Sequence, residues 1–141
     1  MIINDPGSAG YAQPTDASLI TYTHAIYALH SLAVLIGLST AATIVFSFVA
    51  GIPSIVAVIM NYARRPAVRG TFLDSHFTWQ IRTFWFALLW VIVAWLVSLP
   101  LMLILIGFPL LIVAHVALGI WIIYRVARGW LALHDRRAMY V

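Results

Sequence analysis

Two long apolar stretches dominate the chain, and one polar segment separates them. Residues 19–60 and 84–124 contain no Arg, Lys, Asp or Glu. As a single helix, the first stretch of about 42 residues would extend about 63 Å, twice the roughly 30 Å of a bilayer's hydrocarbon core. It therefore predicts two spanning helices, with a turn at residues 37–39, where Gly, Leu and Ser are weak helical positions.

The second stretch is interrupted by Gly107, Phe108 and Pro109. We predict a connection over residues 99–107, at the membrane interface, or alternatively the first turns of a longer tilted helix. Asp74 or Ser75 is predicted to cap the N-terminus of the third helix, which precedes this connection. The complete prediction is an all-α protein with transmembrane helices at about 19–37, 40–62, 75–98 and 108–128.

Composition supports a membrane protein. Of the 141 residues, 64% are hydrophobic and 9% are charged, against about 45–50% and about 25% in soluble domains. Only helices and closed β-barrels can span a lipid bilayer. The apolar runs are continuous and lack the alternating pattern of barrel strands, so the sequence excludes a barrel. We predict a cytoplasmic tail at 1–18, a four-helix domain at 19–128 and an amphipathic C-terminal segment at 129–141.

The distribution of charge predicts the orientation. All eight basic residues are Arg, and they lie in the segment 61–82 and near the C-terminus. Positively charged loops remain in the cytoplasm, so both termini are predicted there. A three-span alternative would place the N-terminal tail outside. The arginines that give the formal charge of +4 flank the predicted spans. Membrane orientation explains their placement, so nucleic acid is not an expected partner.

The predicted second helix carries small and polar residues at four-residue spacing. Such a face lets another helix approach closely, and the same pattern predicts that Pro53 kinks the helix without ending it. Most faces of this kind serve packing. The members of this predicted packing face are Thr43, Ser47, Ala50, Ser54, Ala57 and Asn61.

A second group of residues is expected near the headgroups. Arg82 lies about two turns inside the third helix, so it must reach lipid phosphate or form an ion pair with Asp74 or Asp135. We expect this group to contact anionic headgroups. Its members are Arg64, Arg65, Arg69, His76, Gln80, Arg82, Arg125 and Arg128.

His30 and His115 are the two histidines predicted at mid-membrane depth. Each lies about 15 Å inside its helix, and ionisable groups at that depth are functional candidates. One hypothesis gives each neutral imidazole a hydrogen bond to a neighbouring helix. The alternative makes them axial ligands of a b-type haem.

Other chemistry is absent from the sequence. The chain has no Cys, no carboxylate inside a predicted span, and no phosphate loop, nucleophile elbow or HExxH pattern. We therefore expect neither catalysis nor a structural metal.

The segments LHSLAVLIG (29–37), GIPSIVAVIMNYARR (51–65), SHFTWQIRTFW (75–85) and IIYRVARGWLAL (122–133) resemble a large family of small bacterial membrane proteins. That family is distantly related to a channel component of the chloroplast inner-envelope import machinery. The resemblance implies four helices with cytoplasmic termini and matches His30, Pro53, Gln80 and His76. In many relatives an acidic residue and an Asn precede the glutamine, whereas this chain has His-Phe-Thr-Trp-Gln.

Three functions follow as hypotheses. The preferred one is a structural or accessory subunit that docks on another membrane complex or on itself through the second helix and the basic loop. The second is haem-based electron transfer. The third, implied only by the resemblance, is a small translocation channel or insertion aid.

Overall fold

The structure is a computed structural model that describes residues 15–39 and 44–139, without the side chains of 38, 39 and 44–50. The prediction of four helices is confirmed, and the described ranges contain no strand. A short 3-10 helix, Met102–Ile104, joins the third helix to the fourth. The four are α1 (Ala17–Ser39), α2 (Ile44–Val68), α3 (Leu73–Leu101) and α4 (Gly107–His134).

Three segments are long and apolar enough to cross a membrane: Ala17–Gly37, Leu73–Ile104 and Gly107–His134. The part of α2 whose side chains are described, residues 51–68, does not reach this standard, although four spans were predicted. Its last turns explain the difference, because Asn61, Arg64 and Arg65 interrupt the apolar sequence. Three apolar helices thus indicate a membrane protein.

The predicted helices leave residues 63–74 as a loop, but most of this segment is helical. Helix α2 continues through Pro53 to Val68, and α3 begins at Leu73, which leaves four residues between them. Neither Asp74 nor Ser75 caps α3, so that prediction was wrong. Thr71 instead accepts the Leu73 backbone N–H at 3.3 Å and donates to the Val68 carbonyl at 2.7 Å. Gly70 permits the turn with φ 77°.

The other helix ends also extend beyond the predicted limits. Helix α1 begins at Ala17, where the Asp16 carboxylate accepts the Ser18 backbone N–H at 2.8 Å. This hydrogen bond lowers the pKa of Asp16 and satisfies a donor at the helix start. Helix α4 continues to His134, so residues 129–134 of the predicted C-terminal segment are a continuation of the last helix.

A tight turn joins α3 to α4. The predicted connection at 99–107 is shorter than expected, because α3 continues to Leu101 and the 3-10 helix follows. Leu105 has a left-handed φ of 61°, and a Cβ at Gly107 would collide with the Ser98 carbonyl oxygen. Only glycine fits there.

Buried side chains concentrate at one end of the bundle. This packed end comprises the beginnings of α1 and α3 and the ends of α2 and α4. Its core consists of Ile26, Tyr27, Ala57, Val68, Leu73, Phe77, Val126 and Leu133.

The opposite part of the α3–α4 hairpin, residues 84–124, is here called the turn end. Within it only Ser98 and Gly107 are buried. Large apolar side chains are exposed along both helices. One pair of helices is therefore packed by polar and apolar contacts at one end and bare at the other.

Candidate functional site

His76 is the centre of a hydrogen-bonded network at the packed end. Its Nε2 lies 2.7 Å from the Arg137 carbonyl oxygen, and its Nδ1 lies 2.9 Å from the Tyr27 hydroxyl. Tyr27 and His76 are both buried. One imidazole thus joins α1, α3 and the segment after α4.

The two partners of His76 define its hydrogen positions. The Arg137 carbonyl can only accept, so Nε2 must carry the hydrogen that it receives. Nδ1 of the neutral ring is then an acceptor, and the Tyr27 O–H donates to it. A second proton on the ring would remove this acceptor.

Tyr27 is held on its other face by α4. Its ring stacks on Trp130 with centroids 6.4 Å apart, and Trp130 Nε1 donates to His24 Nδ1 at 3.0 Å. Gly129 makes this approach possible, because a Cβ there would lie 2.5 Å from the Tyr27 hydroxyl oxygen. The sequence analysis did not predict these contacts of Tyr27, Gly129 and Trp130, although the aromatic character of Tyr27 and Trp130 was visible.

The segment after α4 returns to the start of α3. The Met139 backbone N–H donates to Ser75 Oγ at 2.9 Å, beside the bond from His76 to Arg137. Ser75 Oγ itself donates to the Phe72 carbonyl at 2.6 Å. These contacts join the C-terminal segment to the first turn of α3.

An ion pair of Arg82 with Asp74 or Asp135 was one of the two alternatives for Arg82, and the described residues do not form it. Asp135 pairs instead with its neighbours Arg137, at 2.7 Å, and His134, at 3.5 Å. Arg82 is exposed and forms no ion pair within the described ranges. The C-terminal segment is therefore joined to α3 by uncharged hydrogen bonds and not by an ion pair of Arg82.

Arg125 occupies a rigid aromatic site between α3 and α4. Its Nε donates to Thr83 Oγ1 at 2.7 Å, and its Cζ lies 3.6 Å from the centroid of the Trp79 ring and 5.1 Å from that of Trp121. Trp79 Nε1 in turn donates to the Arg125 carbonyl at 3.1 Å. Both ends of Arg125 are fixed by α3.

Arg82 and Arg128 flank the Arg125 site, because Arg82 follows Trp79 by about one turn of α3 and Arg128 follows Arg125 by about one turn of α4. Arg128 donates to the Tyr124 hydroxyl at 3.0 Å and lies 5.8 Å from the Trp79 ring centroid. No carboxylate forms an ion pair with any of these three arginines in residues 15–39 or 44–139. We call Arg82, Arg125 and Arg128 the arginine cluster.

The remaining predicted lipid contacts belong to the α2–α3 junction. Arg64 and Arg69 are exposed and Arg65 is half-buried, and Arg64 Cζ lies 5.7 Å from the centroid of the Tyr22 ring. His76 and Gln80, which were placed in the same predicted group, are buried instead. The structure thus separates that group into exposed arginines and internal polar residues.

Several internal polar groups have no hydrogen-bond partner among the described residues. Both amide atoms of Asn61 and of Gln80 are in this condition, together with His30 Nε2 and Ser98 Oγ. Asn61 is 0% exposed and Gln80 is 2% exposed. An unpaired buried polar group costs about 1–3 kcal/mol, so these side chains weaken the fold.

The described half of the predicted packing face on α2 points inward. Ala57 and Asn61 are buried and Ser54 is half-buried. Ser54 Oγ lies 3.2 Å from His30 Nδ1 on α1. Thr43 and the side chains of Ser47 and Ala50 lie outside the described part of the chain.

His30 and His115 have different surroundings. His30 contacts Ser54 of α2, whereas His115 Nδ1 donates to the Leu111 carbonyl of its own helix at 2.9 Å and packs edge-on against Trp95. The described contacts do not bring these imidazoles together on one axis. No grouping of three or more metal-binding side chains is found in the described residues.

An apolar groove of about 460 Å³ runs between α3 and α4 at the turn end. It extends along α4 from Leu110 to Trp121, and α3 contributes Trp90, Ala94 and Ser98 among others. Trp121 is shared with the Arg125 site. The groove therefore opens directly onto the arginine cluster.

No protein-family model, curated protein or solved structure was found to match this chain.

Proposed function

We propose that the chain is a non-enzymatic integral protein of the bacterial inner membrane, without a cofactor, that serves as an accessory subunit by docking through α4. The observation that carries this proposal is a bare apolar seam on that helix. Val113, Val116, Ile120 and Ile123 are all exposed. This seam is the proposed docking surface. The predicted packing face of α2 is not, because its described residues point inward.

The spacing of the seam suits a partner helix. Its residues follow one another at intervals of three, four and three, which is the repeat that places side chains into the holes of a facing helix. Membrane bundles use the same crossing geometry. We therefore propose a transmembrane helix of a second protein, or of a second copy, as the occupant.

The chemistry of the seam also favours docking. Valine and isoleucine have one strongly preferred χ1 rotamer in a helix. A surface of such residues loses little side-chain entropy when it is covered. Lipid would also cover it, so the proposal requires an experimental distinction between lipid and protein.

The proposed topology has four spans with both termini in the cytoplasm. Arginines lie at the α2–α3 junction and around the end of α4, and the two regions meet at the packed end. Positive charge on one side favours a cytoplasmic packed end. In this topology the apolar residues 44–50 at the start of α2 complete the fourth span.

Photo-crosslinking in native membranes tests the docking proposal. A photoreactive residue at Val116 should yield a discrete protein adduct, whose mass distinguishes a different partner from a second copy. The control is Ile59 on α2, which is comparably exposed but lies outside the seam, and should yield lipid adducts only. Lipid adducts alone at both positions would refute the proposal.

A further inference from the structure

We infer that the arginine cluster and the apolar groove form one binding site for an anionic phospholipid, with the phosphate on the arginines and an acyl chain between α3 and α4. The site does not rest on the proposed docking, because none of the seam residues lines the groove. It is built from two features that share the side chain of Trp121.

The headgroup end is prepared for an anion. Arg125 is held by Thr83 through Nε and by Trp79 through its ring face, so the two terminal nitrogens form a fork of fixed orientation. A planar fork binds two phosphate oxygens at once and loses little freedom in doing so. Arg125 thus provides the rigid element of the site.

Arg82 and Arg128 supply further charge. Both are exposed; Arg82 follows Trp79 by about one turn of α3, and Arg128 Cζ lies 5.8 Å from the centroid of the Trp79 ring. Three guanidinium groups without a carboxylate partner in the described chain make an unfavourable concentration of positive charge. An anion placed among them removes this repulsion, and basic sites between helices on the cytoplasmic side are typical of anionic lipid binding.

The dimensions of the groove suit one acyl chain. From Leu110 to Trp121 it follows α4 for about 16 Å, close to half of the roughly 30 Å hydrocarbon thickness. Arg125 lies one further turn, about 6 Å, along the same helix. A chain in the groove therefore brings its phosphate to the level of the arginines.

The lining allows the chain to lie close to the helix backbones. Ala94 on α3 and Ala114 and Ala117 on α4 are small, while Trp90 and Trp121 form the walls nearest the arginines. Small residues permit close approach, and tryptophan is favoured at the level of the headgroups. Charge at one end and an apolar path at the other commit the site to a lipid rather than to a free phosphate ion.

Native mass spectrometry of the purified full chain tests this inference. The protein is titrated with phosphatidylglycerol and, separately, with phosphatidylcholine, whose headgroup is zwitterionic. We expect phosphatidylglycerol to bind at least about tenfold more tightly. Inorganic phosphate added in excess should fail to displace it, because phosphate cannot occupy the groove.

Variants locate the site. Arg82→Gln and Arg128→Gln alter exposed side chains and should each reduce phosphatidylglycerol affinity by about tenfold without loss of folding. Arg69→Gln changes an exposed arginine of the α2–α3 junction and should have no effect. Arg125→Gln should reduce phosphatidylglycerol affinity the most. If this variant does not fold, Arg82→Gln and Arg128→Gln still test the inference.

The acyl end has its own matched pair. Ala117→Phe fills the groove and should reduce lipid binding, whereas Ala63→Phe, at an exposed position on α2 outside the groove, should not. Equal binding of the two lipids would overturn the inference. So would unchanged affinity in both exposed arginine variants, or in Ala117→Phe.

Discussion

The packed end and the turn end of the bundle differ in the contacts that their helices make. At the packed end, aromatic and histidine side chains connect all four helices. The single imidazole of His76 hydrogen-bonds to both the Tyr27 hydroxyl and the Arg137 carbonyl. At the turn end, α3 and α4 pack mainly on each other, and their apolar side chains are exposed. Internal polar contacts thus define the fold at one end, which leaves the other available for lipid or a partner.

The comparison separates residues that look alike in the sequence. His76 and His115 both lie inside apolar helices, yet one bridges three elements and the other bonds to its own helix. Gly129 and Gly51 both lie within helices, yet only Gly129 is tightly enclosed. Residue type therefore says less here than the end of the bundle at which the residue lies.

The largest expected effect is the replacement of His76. His76→Leu leaves the buried Tyr27 hydroxyl and the part-buried Arg137 carbonyl without their partner, which should lower the free energy of unfolding by about 3 kcal/mol. His115→Leu removes a bond within one helix and should cost less than about 1 kcal/mol. Reversible unfolding in mixed micelles measures both, and equal losses would remove the distinction between the ends.

The second effect concerns glycine. Gly129→Ala places a Cβ against the Tyr27 ring and should cost about 2 kcal/mol through overpacking. Gly51→Ala meets no heavy atom within 4 Å and should be neutral or stabilising by up to about 1 kcal/mol. The same unfolding measurement applies, together with the loss of near-ultraviolet dichroism from Trp130 stacking. A neutral Gly129→Ala would contradict the close approach of α4 to Tyr27.

A third prediction has the opposite sign. Gln80→Met retains side-chain length and removes two buried polar atoms that have no partner in the described chain, so it should raise the free energy of unfolding by about 1 kcal/mol. Gln80→Glu is the contrasting variant, because burying a charge should destabilise the protein. Destabilisation by Met as great as that by Glu would show that the amide is paired.

The smallest effect is expected at Asp135. Hydrogen bonds from His134 and then Arg137 lower the pKa of this exposed carboxyl. A lowered pKa stabilises the fold above the unfolded value, near 4, and the contribution is lost as pH falls through the folded pKa. Asp135→Asn at pH 7 should therefore resemble the native chain at low pH.

The readout for Asp135 is the Met139 amide, which donates to Ser75. Its hydrogen exchange should accelerate slightly in Asp135→Asn and should be unchanged in the native chain between pH 7 and pH 5, once the intrinsic pH dependence is removed. Acceleration between pH 7 and pH 5 would assign the titration to another group.

Much of the fold was predictable because apolar length is a direct signal. The order of four helices followed from two charge-free stretches and from the Gly107 interruption. The helix ends were harder, since Arg64 and Arg65 are compatible with either a loop or an exposed helical face. Helix α2 therefore continued to Val68, where the sequence had suggested a loop.

The candidate site was less predictable for a physical reason. The link from α3 to the C-terminal segment uses the backbone carbonyl of Arg137 and the backbone N–H of Met139, and backbone groups leave no mark in a sequence. The pairing of Arg125 with Trp79 depends on two positions 46 residues apart. Charge was visible, but its aromatic and hydroxyl partners were not.

Spin labels along α4 test the difference between the two ends most directly. Single cysteines, introduced into this Cys-free chain and modified with a nitroxide, are compared in the purified protein, diluted in bilayers so that copies of the chain do not meet. Labels at 113, 116 and 120 should be mobile and open to dissolved oxygen, whereas labels at 126 and 133 should be immobilised and protected. Protection at 113, 116 and 120 as strong as that at 126 and 133 would contradict a bundle that is packed at one end and bare at the other.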